Sequence, residues 1–378
     1  MWKIPFNKPF IAGKELFYIA QAVQYGNLAG DGEFTNRCAR LMEESFCVPR
    51  IMMTPSCTAA LEMAVMLYDI GPGDEVLLPS FTFVSTANAV VRTGATPRFV
   101  DICPETLNVS EDSLQAAVTA KTRAVIPVHY GGVGCDMDPI CRLGKSAGCP
   151  VIEDAAQGVN AYYGGRALGS IGQLGAYSFH DTKNYICGEG GALCVNDESL
   201  IDRADNIRNK GTNRTKFIRG EVDKYTWVDV GSSYVPNELS SAFLFGQLEL
   251  LDQIAERRQQ IFCFYVESLT PLADSGHLRL PVIPENCTSN YHMFYVILKS
   301  ARARTELMEF LRDRFIQAVI HYVPLHSSPM AQRISPVPQQ LPVTEDLSER
   351  LLRLPFFHDI TESEQQTVVD ATAEFFHE

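Results

Sequence analysis

Between Ile51 and Asp197 the chain alternates short apolar runs with longer amphipathic ones, and few folds accommodate that pattern. EVLLP from Glu75, PRFVD ending at Asp101, RAVIPVHY from Arg123 and PVIEDA from Pro150 read as buried strands. Helical spacing occupies residues 58–68, 85–92, 111–120 and 137–147 between them. A strand covered by helices on both faces has no solvated side, so it is apolar throughout rather than alternating. The pattern therefore predicts an α/β chain with a mostly parallel sheet flanked by helices. In such sheets functional groups collect at the carboxyl ends of the strands, where Asp101, His129 and Asp154 lie.

Beyond this region GAYSFH and GALCVN read as two more strands, and residues 198–210 as a helix. Residues 211–234 are polar, aromatic and rich in Gly and Thr, which suggests a long functional loop. A helical pattern over 238–269 leads toward a second domain, where YHMFYVIL and AVIHYVPL read as strands, 304–315 as a helix and SPVPQQLPVT as a proline-rich loop. A chain of 378 residues exceeds what one core usually supports. The expected division is a large domain over 1–250, with an N-terminal arm, and a small α+β domain over 251–378.

The net charge of −13 repels nucleic acid and anionic membranes, so any phosphate site has to be built locally. No stretch approaches the ~20 apolar residues of a membrane span, and MWKIPFNKPF lacks the apolar run of a signal peptide. Eleven cysteines without a C-x-x-C pair read as reduced thiols of a cytoplasmic protein. His129, His180, His321 and His326 have no Cys or carboxylate partners at ligand spacing, so no metal site is expected. No G-x-G-x-x-G follows a strand, and no phosphate-binding G-x-x-x-x-G-K-[ST] loop occurs.

Four segments carry chemistry. TPSCTAALEMAVML opens a helix on Ser56, Cys57 and Thr58, whose backbone N–H groups either hold a phosphate or simply follow a cap. In LLPSFTFVSTANAV, Phe83, and less so Phe81, is placed to stack on a flat ring or to join the core. Asp154 in VIEDAAQGV ends a buried strand, so it either caps the next helix or meets a buried cation; Gln157 follows one turn on. In GAYSFHDTKNYICGEGGAL, Ser178 can reach a phosphate and Lys183 sits on a loop. A lone lysine is ordinarily just solvated. An acid at a strand end followed by an isolated loop lysine is, however, what pyridoxal phosphate (PLP) chemistry needs. The amine forms a Schiff base with the aldehyde and the carboxylate pairs with the pyridinium nitrogen.

Together PSCTAAL, PSFTFVSTANAV, VIEDAAQ, SFHDTKN with GEGGAL, and HYVPLH resemble the DegT/StrS sugar aminotransferases, from IPFNKP to RLPFF. NLAGDGEFT, KGTNRTKFIRGEVDKYTW and DVGSSY are most similar to the WecE/RffA branch, which aminates TDP-4-keto-6-deoxy-D-glucose at C4. The resemblance implies a fold-type I PLP enzyme with a seven-stranded sheet and a homodimer with shared active sites. It implies Lys183 as Schiff-base lysine, Asp154 as pyridinium partner, Phe83 on the ring and Gln157 at the ring oxygen. It gives the phosphate to Cys57, Thr58 and Ser178, to which the helix start adds Ser56 as a candidate. It turns His180, Lys210, His321, Tyr322 and His326 toward the sugar nucleotide. Relatives carry G-Y-N-Y-R-M, whose polar residues reach the neighbouring subunit's cofactor; here GSSYVPNE offers Ser232 or Ser233.

The implied cycle takes an amino group from L-glutamate, stores it as pyridoxamine phosphate and delivers it to the 4-keto sugar nucleotide. Galactose configuration is favoured. Transfer at C3, another nucleotide, and a non-catalytic regulatory protein are the alternatives. A pyridoxamine-dependent dehydratase on this fold would carry His in place of Lys183.

Overall fold

The computed structural model describes residues 2–334 and 339–377. Seven strands build the central sheet: β1 Arg50–Thr54, β2 Glu75–Pro79, β3 Thr96–Val100, β4 Thr122–Val125, β5 Ile152–Asp154, β6 Leu174–Ser178 and β7 Gly191–Val195. A four-stranded and a three-stranded ladder join through the parallel bridges Val125–Val151 and Val128–Asp154, giving the order β1-β7-β6-β5-β4-β2-β3. Only β7 runs against its neighbours. The expected fold-type I sheet, mostly parallel and helix-covered, is what forms.

The central-sheet strands anticipated from apolar runs recur within a residue or two, except that RAVIPVHY ends its regular pairing at Val125; in the second domain YHMFYVIL is a strand only over Tyr295–Leu298. β1 is not among the expected strands: RIMMT carries two methionines, although Pro49 and Pro55 bracket it. The helices fall at Cys57–Leu67, Val84–Val91, Glu111–Ala117 and Met137–Ala147.

Three expectations change. The pattern over 238–269 is two helices, Glu238–Leu248 and Leu251–Asp274. No Gly or Pro breaks it. Tertiary contact accompanies the break: the Leu251 carbonyl accepts from Tyr185 Oη at 2.9 Å. AVIHYVPL is not a strand, because only Val319 pairs, with Arg353. The chain then turns back so that the Leu325 N–H donates to the Ser80 carbonyl at 3.1 Å. The helix expected over 198–210 starts as a 3-10 turn, Glu198–Leu200, and ends at Arg208. Of the proline-rich segment, residues 335–338 lie outside the described residues, while Pro342–Arg350 is helical.

A second core gathers Ile261, Tyr265, Phe294, Val296, Leu352 and Val368 around strands β8 Leu278–Arg279, β9 Tyr295–Leu298 and β10 Leu351–Arg353. Ile4, from the N-terminal arm, is buried in it. A smaller cluster that includes Phe81, Tyr130, Met293 and Tyr295 ties this core to the carboxyl edge of the sheet.

One buried acid organises the amino-terminal helices. Glu238, 2% exposed, accepts N–H bonds from Gly32, Phe34 and Thr35 at 3.1, 2.8 and 3.1 Å, and the Thr35 hydroxyl as well. It caps helix Glu33–Phe46, whose own cap residue, Gly32, has no side chain to do so. Glu238→Ala leaves these donors without an acceptor, at a cost of about 2–4 kcal/mol. A urea midpoint lowered accordingly, with unchanged m-value, is the expected result.

Candidate active site

A cavity of about 600 Å³ opens at the carboxyl ends of the central strands. Helix Cys57–Leu67 points its start into it. Ser56 caps that helix by accepting from the Ala59 N–H at 3.1 Å, so the plain-cap reading of Ser56 holds. The N–H groups of Cys57 and Thr58 belong to the first turn, which lacks intrahelical acceptors, and both residues line the cavity. Thr58 Oγ1 donates to Ser85 Oγ at 2.8 Å, and Ser178 lies on the same wall. β7 can pass this turn only as glycine: a Cβ on Gly191 would meet the Cys57 nitrogen at 2.4 Å. These hydroxyls and N–H groups form a seat for an anion.

Asp154 ends β5 inside the cavity, 4% exposed. Thr86 Oγ1 donates to its Oδ2 at 2.7 Å and the Ala156 N–H to its Oδ1 at 3.1 Å. Burial raises the proton affinity of this carboxyl. The bonds from Thr86 and Ala156 and the charge on Lys183 oppose that without reversing it. A cation placed against Asp154 would hold it ionised.

Lys183 sits on the loop from β6 to β7. That loop is closed on itself by the Phe179 N–H to the Gly190 carbonyl, at 2.8 Å, and by the Lys183 N–H to His180 O, at 2.9 Å. Burial lowers the lysine's proton affinity, partly offset by Cys57 and Asp154 and reinforced by Arg353. An amine shifted toward its neutral form is a nucleophile and a base.

Gln157 is fixed at both ends, accepting from the Gly131 N–H at 2.7 Å and donating to Tyr322 Oη at 3.0 Å. Phe83 lines the cavity and is 58% exposed, so it is not core, whereas Phe81 is buried. His321 lines the cavity with Nδ1 3.0 Å from Tyr130 Oη, and burial drives its proton affinity well down. His180 is at the rim, paired with Asp181 at 2.9 Å.

Three expected residues are elsewhere. His326 does not line the cavity; its Nδ1 is 2.7 Å from Ser80 Oγ and its Nε2 3.0 Å from Glu345, so the ring braces the segment after Val319. Lys210 and Ser233 line a separate depression of about 240 Å³ with Asn27, Asn209 and Arg214. Two strand-end groups are structural. His129 is buried against Glu153 at 2.8 Å; burial opposes its charge, but Cys135 and Glu153 outweigh that and push it up to about 10. Asp101 accepts the Val343 and Thr344 N–H groups at 3.0 and 2.8 Å. Among the described residues no three His, Cys, Asp or Glu side chains gather to hold a metal.

Sequence reading missed Ser85, Thr86 and Arg353 at the cavity. The first two had a signal, since a Ser–Thr pair opening a helix just past a strand end faces the same space as Phe83.

The chain matches the DegT/DnrJ/EryC1/StrS aminotransferase family over residues 10–373. It belongs to that family. This aminotransferase is 36% identical over 319 residues to a pleiotropic regulatory protein of Geobacillus stearothermophilus, covering 84% of the chain and 82% of that protein. It is 32% identical over 376 residues to the spore coat polysaccharide biosynthesis protein SpsC of Bacillus subtilis, covering 97% and 96%. Its fold superposes on the aminotransferase TlmJ of Streptoalloteichus hindustanus with a TM-score of 0.90 at 29% identity, over 100% and 99% of the chains. The protein is thus a PLP-dependent sugar aminotransferase of fold-type I. The cavity fits that cofactor: an anion seat at one helix start, a buried acid awaiting a cation, and a lysine with lowered proton affinity share one space.

Proposed function

We propose that this sugar aminotransferase moves the amino group of L-glutamate to C4 of TDP-4-keto-6-deoxy-D-glucose, giving the 4-amino-4,6-dideoxy sugar in the galactose configuration. The reading rests above all on Lys183 and Asp154 lining one cavity with the free helix start at Cys57 and Thr58. When bound, PLP supplies an aldehyde that captures amines and a ring that absorbs the electron pair left when a neighbouring C–H bond breaks.

The chain's residues do the rest. Lys183 would be the residue that holds the cofactor's aldehyde, and its amine would serve as general base and acid for the proton moved at the reacting carbon. Asp154 keeps the ring nitrogen protonated, held in place by Thr86 and the Ala156 N–H. Cys57, Thr58, Ser85 and Ser178 bind the phosphate. Phe83 would cover a face of the bound ring and Gln157, oriented by Gly131 and Tyr322, would meet its oxygen. His180, His321 and Tyr322 face the sugar.

For the substrate, the support is the likeness of NLAGDGEFT and the 210–227 segment to the C4-aminating branch. The printed name of SpsC connects a relative to polysaccharide biosynthesis. Lys210, Arg214 and Asn209 around the second depression offer cationic and amide groups suited to a nucleotide diphosphate or a partner's cofactor phosphate, with Ser233 beside them. Exposed Leu16, Phe17, Ile218 and Trp227, at 77, 60, 69 and 77%, favour a homodimer that covers them and shares the two sites. The net charge, the unbridged cysteines and the family's soluble substrates support a cytoplasmic location.

The test is incubation with L-glutamate and TDP-4-keto-6-deoxy-D-glucose, followed by mass spectrometry and product NMR. An amine at C4, with H3–H4–H5 couplings of the galacto form, is expected. An amine at C3, or a gluco coupling pattern, refutes the corresponding part. No transfer to any keto sugar nucleotide would favour the regulatory role that one relative's name carries.

A further inference from the structure

His292 lines the cavity just before β9, and the cofactor reading leaves it unused. The backbone there is pinned by buried Arg258, which donates to the carbonyls of Tyr291 and His292 at 2.9 and 2.6 Å. Asn290 donates to the carbonyls of Gln157 and Val159 at 2.8 and 2.7 Å, on the segment after Asp154. The Asn290 carbonyl in turn accepts from Asn184 Nδ2, next to the lysine, at 2.8 Å. This one segment thus grips the loop after the acid and the loop that carries Lys183.

These contacts fix which nitrogen of His292 carries hydrogen. With its NH2 turned to the Asn290 carbonyl, Asn184 presents Oδ1 to the ring, 2.9 Å from Nδ1. An amide oxygen only accepts, so Nδ1 is the protonated nitrogen. The ring is neutral. Burial, and next the charge on Lys183, hold its proton affinity well below the ordinary value of 6.5, and Arg258, Arg353 and His321 act in the same direction. Nε2 is then a bare lone pair, with no hydrogen-bond partner among the described residues.

Lys183 and His292 share the wall of the main cavity. They also share a void of about 10 Å³ with Asn184, Asn290 and Gln157, no larger than one water needs. The three amides spend their NH2 groups elsewhere. The lysine amine has no such partner among the described residues. Holding Asn184 requires only the Nδ1 side of the ring, so the clamp leaves the acceptor on the other side without a use.

We propose that His292 is a positioning residue for Lys183. Its Nε2 accepts a hydrogen bond from the lysine amine, directly or across one water, and turns the amine's lone pair toward the reacting carbon. The inference rests on the aminotransferase reading above. A base must aim its lone pair at the proton it takes, and free rotation about the last bond of a lysine would lose that aim. Nε2 holds one N–H back. It goes on accepting once the amine is an ammonium, which favours the protonated state. The proton passes from the donor's carbon to Nζ and back, and His292 neither gains nor loses one. Asp154, Cys57 and Arg353 are the other titratable groups set around the amine.

Two substitutions separate the nitrogens. Asparagine places an NH2 where Nδ1 lies and keeps the bond to Asn184. Glutamine reaches the position of Nε2 with an oxygen and forfeits that bond. The experiment mixes PLP-loaded wild type, His292→Asn and His292→Gln with L-glutamate, ordinary or deuterated at the α-carbon, and follows the single-turnover loss of Schiff-base absorbance. His292→Asn is expected to slow it at least about fivefold, the size of one lost hydrogen bond, and to raise the deuterium effect. His292→Gln should be the faster variant.

A second readout does not depend on turnover. In the pyridoxamine phosphate form the lysine amine is free. There, nitrogen NMR of histidine-labelled wild type should show hydrogen on Nδ1 of His292 and a bare Nε2, assigned from the signals that its variants lack. The Nε2 resonance should move in Lys183→Met. Hydrogen on Nε2, or an Nε2 resonance indifferent to Lys183→Met, overturns the proposal. So does His292→Gln as the slower variant, or His292→Asn within about twofold of wild type with an unaltered deuterium effect. Wild type without the Schiff-base absorbance sinks the aminotransferase reading instead. Wild type that has it but does not react with L-glutamate sinks the choice of donor, and the NMR still decides the role of His292.

Discussion

Lys183→Ala is expected to abolish turnover and, with it, the Schiff-base absorbance of the PLP-loaded enzyme. The lysine performs two tasks with one nitrogen, so its removal forfeits both. General acid–base work alone contributes roughly 10²–10⁴-fold. Losing covalent capture also slows release of each product, since no amine remains to displace it. Among the described residues no other lysine lines the cavity to substitute. Multiple turnovers by the variant would show that another group carries the proton.

The same side chain should weigh on the empty protein. Its proton affinity in the fold is below the ordinary lysine value of 10.5, chiefly through burial. A group depressed in this way contributes stability that is present above its unfolded pKa and lost as pH falls through the folded one. In the apoprotein Lys183→Met should therefore stabilise by about 1–3 kcal/mol near neutral pH. That advantage should shrink as pH rises toward 10.5. Melting curves across this window check the sign. Function is here held at the expense of stability.

Asp154→Asn is expected to lower kcat by roughly 10²–10⁴, corresponding to about 3–5 kcal/mol for breaking a buried charge pair. The amide keeps the size of the side chain and an oxygen for the Thr86 hydroxyl, which donates at 2.7 Å in the wild type. It carries no charge to set against a protonated ring nitrogen. Lys183 is untouched, so the Schiff-base absorbance should persist while turnover falls. That split separates the acid's role from the lysine's. A variant with kcat within about threefold of wild type, less than ~1 kcal/mol in barrier, would leave Asp154 as a mere helix-start acceptor.

The sheet was legible because both its faces are covered, which writes each parallel strand as an unbroken apolar run. Where chain direction is decided by distant contacts, the sequence was silent. AVIHYVPL has the composition of a strand, yet after Val319 it bends to Ser80. The helical period runs on through Leu250, yet the helix breaks where Tyr185 takes the Leu251 carbonyl.

The site divided in the same manner. Asp154, Lys183, Thr58 and Ser178 could be read because each follows a strand end or opens a helix, positions that the strand order brings together. His326 could not be separated from His321 by composition, although one ring braces Ser80 and Glu345 and the other faces the cavity. Arg353 gave no local signal, since a charge at the end of LLR usually meets water. Backbone pairing with Val319 fixes its position, and its guanidinium lies 4.4 Å from the Phe6 ring centre on the cavity wall.

The most direct measurement is borohydride reduction of the PLP-loaded enzyme, followed by proteolysis and mass spectrometry of the peptides. Reduction fixes the imine as a stable amine on whichever residue held the aldehyde. The account predicts a single pyridoxyl-phosphate adduct on the peptide carrying Lys183. An adduct on another lysine, or none on any peptide, contradicts it.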